Sequence, residues 1–189
     1  LGSVGTMDIR LTPEDLELQR RARTFTEQVL FPLELECEEH DGLSPESFGS
    51  AKRAVLDAGF NAINHREENG GQGFDGFQQI LIEEEWGKAT GGLWDIPWRP
   101  AIPLAAATPD QKERYLWPAC RGERRDAYAI TEEQAGSDPS MVRTTARRDG
   151  RGWVIDGTKW HVTSGDIADF FLVHAHVDGD GRLRTHRHG

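Results

Sequence analysis

Cysteine is scarce in this chain. There are two among 189 residues, Cys37 and Cys120. They form no CxxC, and no disulfide framework is implied. Two reduced, buried thiols in a cytoplasmic protein remain the ordinary interpretation. Positive charge is also short: 22 Lys and Arg stand against 32 Asp and Glu, for a formal net charge of -10. Such a surface repels nucleic-acid phosphates and argues against DNA or RNA as a partner. No apolar run approaches the roughly 18 residues a membrane span requires. The N-terminus lacks a basic segment followed by an apolar one, the mark of a secretory signal. What the chain does have is 37% hydrophobic and 29% charged residues, a balance that supports a packed core in one large domain or two small ones.

Up to about residue 122 the pattern is helical. Thr12, Pro13, Glu14 and Asp15 supply a hydroxyl cap, a proline at the first helical position and acids in the first turn. Leu18, Ala22, Phe25 and Val29 then recur on one face, and Pro32 should kink or end the helix. Ser44, Pro45 and Glu46 repeat the start signal, with Phe48, Val55 and Ala58 apolar and Gly59 as a stop. The glycines in residues 67–73 have neither a preceding strand nor a GK[ST], and acids flank them. A tight connection suits them better than a phosphate loop. Phe77, Ile80, Leu81 and Ala89 mark a third helix. Its run Glu83-Glu84-Glu85 reads as a solvated or inter-helix face in preference to a metal site. Prolines at 97, 100 and 103 imply broken helix, and Thr108-Pro109-Asp110-Gln111 opens another helix with a capping-box pattern.

Beyond Gly122 the texture changes to strands at 128–131, 143–148, 153–156, 159–163 and 169–177, with turns at Asp149-Gly150 and Asp156-Gly157. Helices first and strands afterwards imply an α+β fold. The expected organisation is a disordered extension (1–7), a helical domain (8–122), a partial β-domain (123–177) and a disordered tail (178–189), whose composition is nearly free of apolar residues.

Two segments stand out for chemistry. One runs from Tyr128 through Thr131, Glu132, Ala135, Gly136 and Ser137 to Asp138. The other runs from Gly157 through Lys159, Trp160, His161, Val162, Thr163 and Ser164 to Gly165, followed by Ala168-Asp169. Each reads as a strand entering a small-residue loop. Such loops expose N–H groups and hydroxyls that suit a polar ligand edge or a diphosphate; they also populate ordinary β-turns. Both readings stand on the residues alone.

In this order, the two segments resemble the Y-x-x-T-E-x-x-A-G-S-D and G-x-K-x-W-I-T-N-G-x-x-A-D segments of the acyl-CoA dehydrogenase family. Pro32, Glu68-Asn69-Gly70-Gly71, residues 111–116 and Gly122-Glu123 also fall in the family's order. The resemblance covers roughly residues 8–177. It implies an all-helical N-terminal domain followed by an antiparallel, β-barrel-like domain, incomplete here, that holds FAD. It further implies an acyl-CoA substrate oxidised to an enoyl-CoA, an electron-transfer flavoprotein as electron acceptor, and a homo- or hetero-oligomer for the full-length protein. Carried over by position, the cofactor-binding set is Tyr128, Ile130, Thr131, Gly136, Ser137, His161, Val162 and Thr163. Thr131 serves the pyrimidine edge through its hydroxyl or amide, Thr163 serves the N5 and O4 side, and Ser137 contacts the diphosphate or the acyl-CoA.

The departures carry their own expectations. His161 stands where the family has tryptophan, and either stacks on the flavin or tunes it electrostatically. Trp160 lies one position earlier and, on a strand, would face the opposite side. Glu133-Gln134 replaces Pro-Gly, and Ser164 replaces asparagine. The family's catalytic carboxylate belongs to a C-terminal helical bundle, so no catalytic residue is assigned in this sequence. We expect the frame or gene model to break near residues 178–182, and the 189-residue chain to be inactive alone. A non-catalytic partner subunit, or a relic that binds flavin or CoA without turnover, is the alternative. His174 and His176 would share a strand face, and His186 and His188 lie nearby. A strand pattern and an accidental tail explain them better than a metal site does.

Overall fold

The computed structural model describes residues 10–177 and the backbone of 183–188. The expectations for residues 1–7, 178–182 and 189 lie outside the described residues. The chain divides into two compact units, Leu1–Arg66 with Gln72–Pro97, and Glu67–Gly71 with Trp98–Gly189.

The first unit is helical. Helix α1 (Pro13–Phe25) starts where the sequence says it should. Thr12 accepts from the Asp15 amide while the Asp15 carboxylate accepts from the Thr12 amide. Helix α2 (Glu34–His40) follows through a π-helical stretch, Thr26–Leu30, and a 3-10 turn, Phe31–Leu33. Pro32 therefore does not end the helix. Lacking an N–H, it forces the bonding to widen before it and tighten after it, while Phe31 and Glu34 keep right-handed helical backbone. Helix α3 (Pro45–Asp57) is capped by Ser44, and α4 (Gly76–Trp86) by Asp75 in a capping box with Gln78. Leu18, Ala22, Phe25, Val55, Phe60, Ile63, Ile82 and Trp86 form the core. Phe60 meets Phe25 and Trp86 edge-on, with ring centroids 5.3 and 5.5 Å away.

Phe77 and Ile80, apolar positions of the expected helix, are 46% and 62% exposed. The buried face of α4 is Leu81, Ile82, Glu85 and Trp86 instead. Glu85 sets this rotation. It is 1% exposed and binds Arg23 of α1, with Nη2 to Oε1 at 2.9 Å, together with Lys88. Those bonds hold the carboxylate below the usual range by outweighing the burial that opposes ionisation. The acidic run is thus an inter-helix face at one position.

In the second unit, helix α5 (Pro109–Gln111) opens with the Thr108/Gln111 capping box and passes through a π-helical stretch, Lys112–Leu116, into α6 (Trp117–Cys120). As at Pro32, the widened bonding ends two residues before a proline, here Pro118. The tight connection Glu67–Asn69 joins this unit because Lys112 Nζ donates to Asn69 Oδ1 at 2.9 Å and Cys120 Sγ donates to Asn69 O. Tyr115 packs on Phe170 with ring centroids 4.9 Å apart, and the Arg124 guanidinium lies over both rings.

The sheet comprises β1 (Asp126–Ala129), β2 (Thr145–Asp149), β3 (Gly152–Asp156), β4 (Phe170–Val177) and β5 (Leu183–His188). It is mixed, not antiparallel as expected. Strands β1 and β2 both run parallel to β4, whereas β2–β3 and β4–β5 are antiparallel. Because β1 and β2 each overlap β5 along β4, both occupy the edge of β4 opposite β5, one after the other. The long connections on either side of the β2–β3 hairpin allow parallel pairing, which a two-residue turn could not. Among the described residues, β2 and β3 are joined by such a turn, with Gly150 at φ 57°. The fold is α+β, with an open sheet.

Two further expectations are corrected. Leu183–His188 pairs with β4 along its length, where a disordered tail was expected; main-chain ladder bonds do not require apolar side chains. Residues 159–163 are not a strand. His161 and Ser164 adopt left-handed backbone, with φ of 54° and 58°, which breaks any strand there.

Candidate functional site

The site lies wholly within the second unit. Segment 128–138 leaves β1 after Ala129 and folds into a tight loop, in which Glu132 and Ala135 exchange backbone hydrogen bonds of 3.2 and 3.0 Å. Segment 157–165 leaves β3 after Asp156 and enters the left-handed turns at His161 and Ser164. A buried carboxylate brings the two together. Glu132 is 3% exposed and accepts from the Arg143 amide at 2.6 Å, the Thr144 amide at 3.0 Å, the Thr144 hydroxyl, Gln134 Nε2 at 2.6 Å and Lys159 Nζ at 2.7 Å. Burial alone would raise its pKa. The Lys159, Thr144 and amide bonds outweigh that and hold it far below the ordinary carboxylate range. Lys159 Nζ also donates to the Ile130 carbonyl at 2.7 Å, and the Trp160 amide donates to the Thr131 carbonyl at 3.2 Å.

Gly157 permits this closeness. Its φ is 148°, and a Cβ there would lie 2.7 Å from Thr144 Cα and 2.8 Å from Thr144 Cβ. Asp169 closes the opposite end of the sheet. Its carboxylate accepts from the Arg125 amide at 2.7 Å, and its own amide donates to the Arg125 carbonyl at 2.8 Å.

The expected cofactor residues fall around this clasp. Tyr128 is on β1, half-buried, 6.5 Å from the His174 ring. Ile130 and Thr131 follow β1, both half-buried. Gly136 and Ser137 are exposed in the loop, and nothing lies within 4 Å of a Cβ built on Gly136. His161 and Thr163 are exposed and Val162 half-buried. Among the described residues, the backbone N–H groups of Thr131, Gly136, Ser137, His161, Val162 and Thr163 donate to no backbone carbonyl. Together with the hydroxyls of Thr131, Ser137 and Thr163 they form a donor-rich, neutral set. That chemistry fits a ligand presenting carbonyl, ring-nitrogen and phosphate acceptors, as a flavin dinucleotide does. Trp160 does not face away from His161, as strand alternation would require. Their rings are 4.9 Å apart because the left-handed His161 folds one back toward the other. A cleft of about 350 Å³ beside the clasp is lined by Glu132, Glu133, Gln134, Arg143, Thr144, Gly157, Thr158 and Trp160.

Sequence reasoning quoted Glu132 and Lys159 as motif positions and gave neither a role. The available signal was an acid in one motif segment and a lysine in the other, with nothing local to pair them. Gln134, read as part of the departure from Pro-Gly, is a donor to Glu132. His174 was weighed only as a metal ligand. Its ring nitrogens are buried and make no hydrogen bond, and burial first, then the Lys159 and His176 charges, push its pKa down. Among the described residues no cluster of three His, Cys, Asp or Glu is placed to hold a metal, and the side chains of His186 and His188 lie outside them. No described helix is long and apolar enough to cross a membrane.

Comparison with known proteins fits this layout. Residues 12–123 match the family model described as acyl-CoA dehydrogenase, N-terminal domain, and residues 127–188 match the acyl-CoA dehydrogenase, middle domain. The chain is 34% identical over 176 residues to a 3-(aryl)acrylate reductase of Clostridium sporogenes, covering 87% of this chain and 44% of that protein. It is 31% identical over 177 residues to a short-chain specific acyl-CoA dehydrogenase of Clostridium acetobutylicum, covering 91% and 46%. The chain thus spans less than half the length of these relatives. A solved acyl-CoA dehydrogenase from Bacillus anthracis, complexed with FAD, superposes with a TM-score of 0.76 at 26% identity, covering 94% of this chain and 31% of that one. Matched through both its helical and its sheet portions, this chain belongs to the acyl-CoA dehydrogenase family.

Proposed function

We propose that the chain binds FAD between segments 128–138 and 157–165, and serves α,β-dehydrogenation of an acyl-CoA thioester in the full-length protein. Electrons would pass on to an electron-transfer flavoprotein. The observation that carries this reading is the convergence of two donor-rich loops on one buried Glu132–Lys159 pair. A bound flavin supplies the hydride acceptor. This chain's part is to hold it. Thr131 offers its amide and hydroxyl to the pyrimidine edge, where negative charge accumulates on reduction, and fixed donors there stabilise that charge. Val162 and Thr163 serve the opposite edge, Gly136 and Ser137 serve the diphosphate, and Ser137 also serves the acyl-CoA. Tyr128, Ile130 and His161 line the ring.

Incubation of the purified chain with excess FAD, followed by gel filtration, tests the proposal. We expect flavin absorbance to co-elute with protein; a colourless protein peak refutes it. Because no catalytic carboxylate is assigned in this chain, an acyl-CoA should not bleach the flavin bound to the purified chain, and bleaching would overturn that expectation. The 34% identity to an arylacrylate reductase makes the reverse, reducing direction worth assaying beside it.

A further inference from the structure

We infer that Lys159 is a positioning residue that aims and polarises the Thr131 amide toward the flavin. This rests on the proposed flavin reading of segments 128–138 and 157–165. A peptide unit is planar and trans, so the carbonyl of one residue and the N–H of the next point in opposite directions. The Ile130 carbonyl and the Thr131 N–H belong to one such unit. Lys159 Nζ grips that carbonyl at 2.7 Å, so the Thr131 N–H is directed away from the ammonium. The next unit is held as well: the Thr131 carbonyl accepts from the Trp160 amide at 3.2 Å, and the Glu132 amide donates to Ala135 at 3.2 Å. Thr131 is therefore fixed on both sides, while its own N–H donates to no backbone carbonyl among the described residues.

The electrostatics act in the same direction. An ammonium on a peptide carbonyl draws electron density from the unit and makes its N–H a stronger donor, more so in a weakly polar interior. The Lys159 side chain is 10% exposed, so solvent screens it little. Glu132 moderates the effect by placing a carboxylate 2.7 Å from the same Nζ. The pair is near neutral overall, yet only its cation touches the Ile130 carbonyl.

A structural clasp and a polarising device make different forecasts for the flavin potential. Lys159→Met removes the polarising cation, so a flavin held there loses stabilisation of its pyrimidine-edge charge and its midpoint potential falls. Glu132→Gln keeps the cation and removes its neutralising partner, so the potential rises. A clasp that only holds the loops would lower the potential, or leave it unchanged, in both variants. The experiment is FAD titration by flavin fluorescence, with spectroelectrochemistry of the saturated protein, on wild type, both single variants and the double variant. We expect FAD affinity to fall about tenfold in Lys159→Met, potentials to shift in opposite directions in the two singles, and the double to return toward wild type. Wild type that binds FAD beside a Lys159→Met protein of unchanged affinity and potential overturns this inference alone. Potentials that move together, or not at all, do the same. Wild type that takes up no FAD overturns it together with the proposed function. Glu132→Gln preserves side-chain shape and one acceptor oxygen, so the sign of its shift decides the matter even if Lys159→Met fails to fold.

Discussion

Two buried glutamates in this chain look alike by exposure and should respond very differently to replacement by leucine. Glu85 is 1% exposed and Glu132 3%. Their partners decide the cost. Arg23 and Lys88 are 51% and 47% exposed, so when Glu85→Leu removes their acceptor both cations return to water. The desolvation that ionised Glu85 suffers is relieved at the same time. The net change should stay within about 1 kcal/mol, as for partly exposed pairs in general. Lys159 is 10% exposed and held on the Ile130 carbonyl, so Glu132→Leu strands a cation that cannot rehydrate in place, and the amides of Arg143 and Thr144 lose their acceptor. Breaking a buried pair from one side costs about 3–5 kcal/mol, a large share of the roughly 5–15 kcal/mol that stabilises a whole domain. Equilibrium urea unfolding, with midpoint and slope fitted separately, measures both. A loss for Glu85→Leu equal to that for Glu132→Leu would show that partner exposure does not set the cost.

Acid titration follows from the depressed Glu132 pKa. A carboxylate with a lowered folded pKa adds stability above its unfolded value, near 4.3, and loses it as pH falls toward the folded value. Wild type should therefore weaken by up to about 1.4 kcal/mol per pH unit more than Glu132→Gln below that point. Stability curves that run parallel from pH 5 to pH 3 would contradict this. Gly157→Ala should destabilise by about 1–3 kcal/mol, because its Cβ would press on Thr144 at a φ of 148°; thermal unfolding reads it, and an unchanged midpoint rejects the close contact. Cys120 has its thiol pKa pushed up to about 11, by burial first and by the Asp126 charge second. At pH 8 only about one such thiol in a thousand is ionised, so native alkylation should be slow and become fast in urea.

Most of the helix starts were legible because their signals are local. Thr12, Ser44 and Thr108 each cap a helix whose first residue is proline, and each cap needs only three or four neighbours in sequence. The face of α4 was harder. Phe77 and Ile80 satisfy helical spacing, but a non-local bond from Arg23 to Glu85 chooses which stripe is buried. In the sheet, the hairpin at Gly150 was readable from Asp-Gly, while the parallel pairing of β1 and β2 with β4 depends on partners about 30 to 45 residues apart. The loop at 159–163 failed for a related reason. Its alternation resembles a strand, but left-handed backbone at His161 and Ser164, two non-glycine residues, leaves little composition signal.

The functional positions divide along the same line. Motif spacing singled out Thr131, which is half-buried, and Ser137 and Thr163, which are exposed, as expected cofactor residues. It gave no role to Glu132 or Lys159, whose importance is visible only when segments 27 residues apart are folded together. A donor loop made of glycine, serine and threonine is intrinsically adaptable, and adaptable donors stabilise charge poorly because they must reorganise as it forms. Here the cost of holding those donors still is borne by a buried ion pair, which by itself adds little net stability. That makes the pair a poor choice for folding alone and a sensible one for orienting a peptide unit. Gln134 stands where the family has glycine, which has no side-chain donor. Its Nε2 adds one more hydrogen bond to the Glu132 carboxylate, at 2.6 Å.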